Sequence, residues 1–141
     1  MRKILLSLSM FFLFINIFAC ASNNNSYINY EQIEQNKAQG LPTWAYCQFT
    51  SKEESIYIDG YSNGTKGFYA SGRGSSQEGA RIDARKNLIS YCTEQYGKEN
   101  TDSDSIKIYG SRIIDSFEAE NGNIYILMFI SEKDAKKTFA N

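Results

Sequence analysis

Residues 67–88 read GFYASGRGSSQEGARIDARKNL, and the change of period inside this stretch decides the fold. Up to Gly74 the residues suit an extended strand; beyond it, apolar side chains return at helical spacing. Ser75 with Glu78 three places on fits a capping box, and Gly97 stands where a C-terminal cap belongs, so the pattern predicts a helix over 75–96. On a helical wheel Ala80, Ala84, Leu88, Tyr91 and Cys92 form one stripe, widened by Ile82, Ile89 and Tyr96, while Asp83, Lys86, Asn87, Ser90 and Glu94 collect opposite. So broad an apolar face belongs on a sheet. The small side chains of Ala80 and Ala84 let the helix lie close, and Gly72 and Gly74 permit a sharp passage from strand to helix.

Working outward, 44–49 alternates as a first strand, with Trp44, Tyr46 and Gln48 on one face and Ala45, Cys47 and Phe49 on the other. A charged turn at 52–55 leads to a second strand at 56–61. Asn63-Gly64, the dipeptide best suited to a tight hairpin, then turns the chain into 67–74. After the helix, 98–105 is a polar loop, 106–117 alternates in strand fashion and Glu120-Asn121-Gly122-Asn123 turns the chain. The run 124–130 is almost wholly apolar, as in a strand buried on both faces. Ser131, with Asp134 three places on, opens a short helix to about 139. The expected fold is α+β: an antiparallel sheet of four to five strands with one long helix packed on it, in the order β-β-β-α-β-β-α, occupying 41–141 as a single domain.

Ahead of that domain, residues 1–19 have the parts of an export leader: Arg2 and Lys3, an apolar run to Phe18, and a small residue before the cut. The run is too short to read as a permanent membrane span. It ends in Ile17-Phe18-Ala19-Cys20, which resembles the bacterial lipobox; that resemblance implies diacylglycerol on the Cys20 thiol, cleavage before it and acylation of the new amino end. Ala19-Cys20-Ala21 also satisfies ordinary leader cleavage, which would release a protein starting at Ser22. Ala21, where aspartate retains many lipoproteins at the inner membrane, favours the outer membrane. Residues 20–40 are polar and rich in Asn and Gln, with Tyr27, Ile28, Tyr30 and Ile33 spread too thinly for a core, and read as anchor and tether with room for one or two loose helical turns.

The 141-residue chain carries 15 basic and 16 acidic residues, a formal charge of −1, and loss of Arg2 and Lys3 with the leader takes it to −3. With no basic block, nucleic acid is not an expected partner. There is no histidine, which removes the commonest general base and metal ligand. No metal, other cofactor or catalytic residue is expected. Cys47 and Cys92 are open to one disulfide in an oxidising compartment, with buried free thiols as the alternative. Gly72-x-Gly74 before a helix lacks the third dinucleotide-site glycine, since Gln77 holds that place. Gly74 to Gly79 has phosphate-loop spacing, but Ala80-Arg81 stands where Lys and Ser or Thr are required. Arg81 and Arg85, one turn apart beside the apolar face, are candidates for clasping an anionic partner such as a lipid head group or a peptidoglycan carboxylate; the alternative is that their stems cover the sheet edge and their heads pair with nearby acids.

Pro42-Thr43-Trp44 leading into a strand, Tyr69-Ala70-Ser71-Gly72 ending another, and Ala80-Arg81-x-x-Ala84-Arg85-x-x-Leu88 on the helix together resemble the LPP-twenty family of small bacterial outer-membrane lipoproteins, related to the flagellar proteins FlgP and FlgT. The resemblance spans roughly 40–130 and the lipidated start. It implies a helix cradled by an antiparallel sheet, an outer-membrane location and no enzymatic activity, with some members assembling around the flagellar motor. The expected function is therefore a non-enzymatic, periplasm-facing lipoprotein that binds or self-assembles as a homo-oligomer or with other envelope proteins. The alternatives are a flagellar disc subunit and a monomeric cell-wall or small-ligand binder.

Overall fold

A computed structural model describes residues 28–60, 64–97 and 106–140. Its elements are α1 (Tyr30–Ala38), β1 (Gln48–Thr50), α2 (Glu54–Tyr57), β2 (Gly67–Gly74), α3 (Gln77–Gln95), β3 (Arg112–Glu118), β4 (Ile124–Ser131) and α4 (Glu132–Phe139). The fold is α+β, with a four-stranded antiparallel sheet in the order β1-β2-β4-β3 and the long α3 packed on it. The leader, Cys20 and most of the expected tether lie outside the described residues, as do Asn63 and the 98–105 loop.

β4 is one of the two interior strands and its apolar run is buried on both sides, as its sequence predicts. Ile126, Met128 and Ile130 meet Ala80, Ala84, Leu88 and Cys92 of α3 and Phe139 of α4. Tyr125, Leu127 and Phe129 face the second cluster, with Trp44, Phe49, Tyr57 and Ile33. The sheet is thus covered on both faces, by α3 and α4 on one and by α1, α2 and the 41–47 segment on the other.

The tightest packing joins β2 to α3. A Cβ on Gly72 would lie 1.9 Å from the Ala84 nitrogen, and one on Gly74 would lie 2.4 Å from the Ala80 nitrogen. Neither glycine has positive φ. Their role is close approach of helix to strand, not the sharp turn expected from sequence. Helix α3 starts one residue later than the predicted capping box, since the Ser76 side chain, not Ser75, accepts from the Gly79 amide. At the other end Gly97 takes φ +66° as a C-terminal cap should.

The predicted hairpin of 56–61 with 67–74 does not form. Both sides of β2 are taken, by β1 through Phe49↔Tyr69 and by β4 through Tyr69↔Phe129. The 54–57 segment instead coils into α2, which lays Tyr57 flat on Phe49 (4.3 Å, 15°), itself flat on Tyr69 (4.8 Å, 9°). The buried Glu53 carboxylate accepts from the Thr50 amide and hydroxyl, and Glu54 accepts from the Tyr69 hydroxyl at 2.8 Å. These anchors reward a helical turn where the residue types alone read as strand.

Three further boundaries differ. The first strand is only Gln48–Thr50, because Ala45 and Cys47 donate back to the Pro42 and Trp44 carbonyls in successive turns. β3 begins at Arg112, not 106, and a register shift between Ile113 and Asp115 leaves Ile114 as a bulge. The stretch read as tether holds α1, whose Ile33 is 4% exposed and whose buried Asn36 donates to the Thr43 and Ala45 carbonyls at 3.1 and 2.5 Å. The Asn29 side chain caps it by accepting from the Gln32 amide. The folded body therefore extends to residues before 41.

Gly72→Ala forces a methyl into the α3 backbone and should cost about 3 kcal/mol or more of stability. Gly79→Ala, inside α3 with the Ser76 hydroxyl at 3.3 Å and the Gly74 Cα at an ordinary 3.9 Å, should stay within about 1 kcal/mol of the parent. Urea unfolding of the two variants side by side checks the contrast; equal effects would refute the close-approach reading.

Candidate functional site

A cleft of about 490 Å³ opens where the 45–48 segment, the end of β2 and the polar side of α3 meet. Its rim is Tyr46. Among the described residues Tyr46 is the one non-glycine residue with positive φ, at +60°, and its side chain is 48% exposed. For a bulky L-residue that backbone costs roughly 1–2 kcal/mol. The surroundings hold it there: Asn36 of α1 grips the carbonyls of Thr43 and Ala45, and the Cys47 amide donates to the Ser71 hydroxyl at 3.0 Å.

The Tyr46 hydroxyl lies 2.9 Å from that of Tyr125 and accepts from Arg73 Nη1 at 3.1 Å. The two rings meet edge to face, 5.5 Å apart at 82°. Burial opposes ionisation of Tyr46, but its hydrogen bonds with Tyr125 and Arg73 and the guanidinium charge outweigh it and lower its pKa. Tyr125 is raised, first by burial and then by its bond to Tyr46; either hydroxyl can be the donor of the pair.

The far wall is α3. Asp83 accepts from the Arg73 amide at 2.8 Å, and Asn87 one turn on donates to the Ser71 carbonyl at 2.8 Å. Gln48, the first residue of β1, donates to the Asn87 carbonyl at 3.2 Å. One arm of each group is tied to backbone, which fixes the other. Sequence reasoning missed this constellation because its members come from separate segments; the one local signal was Asp83 and Asn87, four residues apart on the polar side of a helix.

The residues singled out from sequence fall elsewhere. Arg81 pairs with Glu78 through two hydrogen bonds, at 3.0 and 2.6 Å, on the exposed first turns of α3, and Arg85 donates to the Ile106 carbonyl. Arg81 thus has an acidic partner, while the Arg85 head is held by a backbone carbonyl and not by an acid. Cys47 and Cys92 are both free and buried, and they sit in the two clusters on opposite faces of the sheet. The sheet between them is the physical reason that no bridge joins them. Among the described residues no three His, Cys, Asp or Glu groups converge as a metal site, and no helix is long and apolar enough to cross a membrane. The chain matches no protein-family model, no curated protein and no solved structure.

Burial raises both thiols to about 12 from an ordinary 9, which at pH 8 makes the thiolate roughly a thousandfold scarcer than in an unfolded chain. Ellman's reagent should therefore find Cys47 and Cys92 silent in the native protein at pH 8 and both reactive, without prior reduction, in urea. A requirement for reductant would mean that the two are bridged.

Proposed function

We propose that this chain is a non-enzymatic lipoprotein, held in the outer membrane through Cys20 and facing the periplasm, that works by binding. The observation carrying the binding reading is Tyr46: a half-exposed aromatic ring kept on a left-handed backbone at the rim of a polar cleft. Strain of that kind persists where the surrounding structure enforces it, and it gathers at ligand clamps. The anchor rests on Ile17-Phe18-Ala19-Cys20 behind Arg2, Lys3 and the apolar run. Acyl chains on Cys20 would each contribute roughly 0.8 kcal/mol per buried methylene, so two or three make attachment effectively permanent. Ala21 supports the outer membrane, and the resemblance to the LPP-twenty family supports both location and a non-catalytic role.

A second reading, assembly of copies or docking to a motor-associated disc, draws on β3. That strand is an edge of the sheet, and Ile113 on it is 47% exposed. Its bulge and its charged Arg112, Asp115 and Glu118 interrupt the edge as natural sheets do to discourage pairing, so binding is the reading preferred.

Two experiments follow. Cells fed labelled palmitate should label the parent protein in the outer-membrane fraction and leave Cys20→Ser unlabelled; a labelled Cys20→Ser protein would sink the anchor. Light scattering of the full chain in detergent should give one copy per micelle. A discrete multimer abolished by Ile113→Lys would favour assembly over the binding reading.

A further inference from the structure

We infer that the Tyr46 cleft binds an uncharged saccharide, an inference that rests on the binding reading and names its ligand class. Of the residues lining the cleft only Arg73 and Asp83 are charged, one of each sign, so the site offers no net charge to an ion. An anion would find Asp83 opposing Arg73, and a cation the reverse. The groups left over match hydroxyls, which both donate and accept. Arg73 spends Nη1 on Tyr46 and keeps Nε and Nη2; Gln48, Asn87 and Asp83 each spend one arm on backbone and keep an oxygen. All four are planar groups with one side fixed, so little rotamer freedom is lost when a ligand arrives.

The apolar component is the Tyr46 ring. A sugar ring presents a face of C–H groups between its equatorial hydroxyls, and an exposed aromatic face beside planar hydrogen-bonding groups satisfies both at once. The hydroxyl of Tyr46, shared between Tyr125 and Arg73, keeps the ring from swinging away. The volume, about 490 Å³, lies within the range of roughly 300–1,000 Å³ usual for small-ligand clefts.

The test uses the full lipidated chain in a detergent without a sugar head group, titrated calorimetrically with two uncharged tetrasaccharides, chitotetraose and cellotetraose. At least one should bind saturably, with an affinity that changes little between about 50 and 500 mM NaCl. Preference for chitotetraose would assign an N-acetylated, cell-wall type of glycan. Tyr46→Gly suits the left-handed backbone and removes the ring together with the hydroxyl shared by Tyr125 and Arg73; with Gln48→Ala it should weaken binding roughly tenfold or more while circular dichroism stays unchanged. Failure of both sugars at millimolar concentration, or binding indifferent to both substitutions, overturns the inference. So does Tyr46→Gly-sensitive binding of tetra-aspartate or tetra-lysine in place of sugar, an outcome that leaves the anchored binding module standing.

Discussion

The contact between the bare backbone of β2 and the alanine side of α3 is the constraint on which the other features depend. Gly72 against Ala84 and Gly74 against Ala80 bring helix and strand closer than any pair with larger side chains could come. That approach aligns the whole apolar stripe over β4, so Leu88 and Cys92 pack on Ile126, Met128 and Ile130. It also carries Asp83 and Asn87 to within hydrogen-bond distance of the β2 backbone. The cleft wall is thus a by-product of the packing: without the glycines, the polar side of α3 would stand off from Arg73 and Ser71.

What was legible in the sequence is what depends on local period and local caps. The long helix, the doubly buried β4, the turn at Gly122 and the Ser131 cap of α4 all follow from residues within a few positions of one another. The misread segments were decided at a distance. Residues 56–61 have strand chemistry, but β2 had no free side to offer them, and stacking Tyr57 on Phe49 needed a coil. Helix α1 has one deeply buried apolar residue, Ile33, enough to suggest a loose helical turn or two but not that the helix docks on the body. Its second buried residue is Asn36, whose amide serves backbone carbonyls that no reading of α1 alone would supply.

The candidate site was illegible for a related reason. Tyr46 is unremarkable as a letter in an alternating run, and its importance comes from a backbone angle that propensity would assign to glycine. Holding it there draws on three separate parts of the chain: Asn36 from α1, Ser71 from β2 and Tyr125 from β4. Rigid elements therefore fix the ring from behind while its outer half meets solvent. Stability and presentation pull in opposite directions at this position, since glycine would relieve the strain and abolish the ring.

The docking of α1 into the core also sets a length. Were residues 20–40 all tether, a lipid on Cys20 could sit up to about 70 Å of extended chain from the body. Because Ile28 already packs against the core, only seven residues lie between it and Cys20, eight Cα-to-Cα steps with a reach of at most about 29 Å. Asn29, the next residue, lines the cleft itself. Under the proposed anchoring at Cys20 the domain would be held beside the membrane, with the cleft opening next to Asn29, near the first residue that packs on the body.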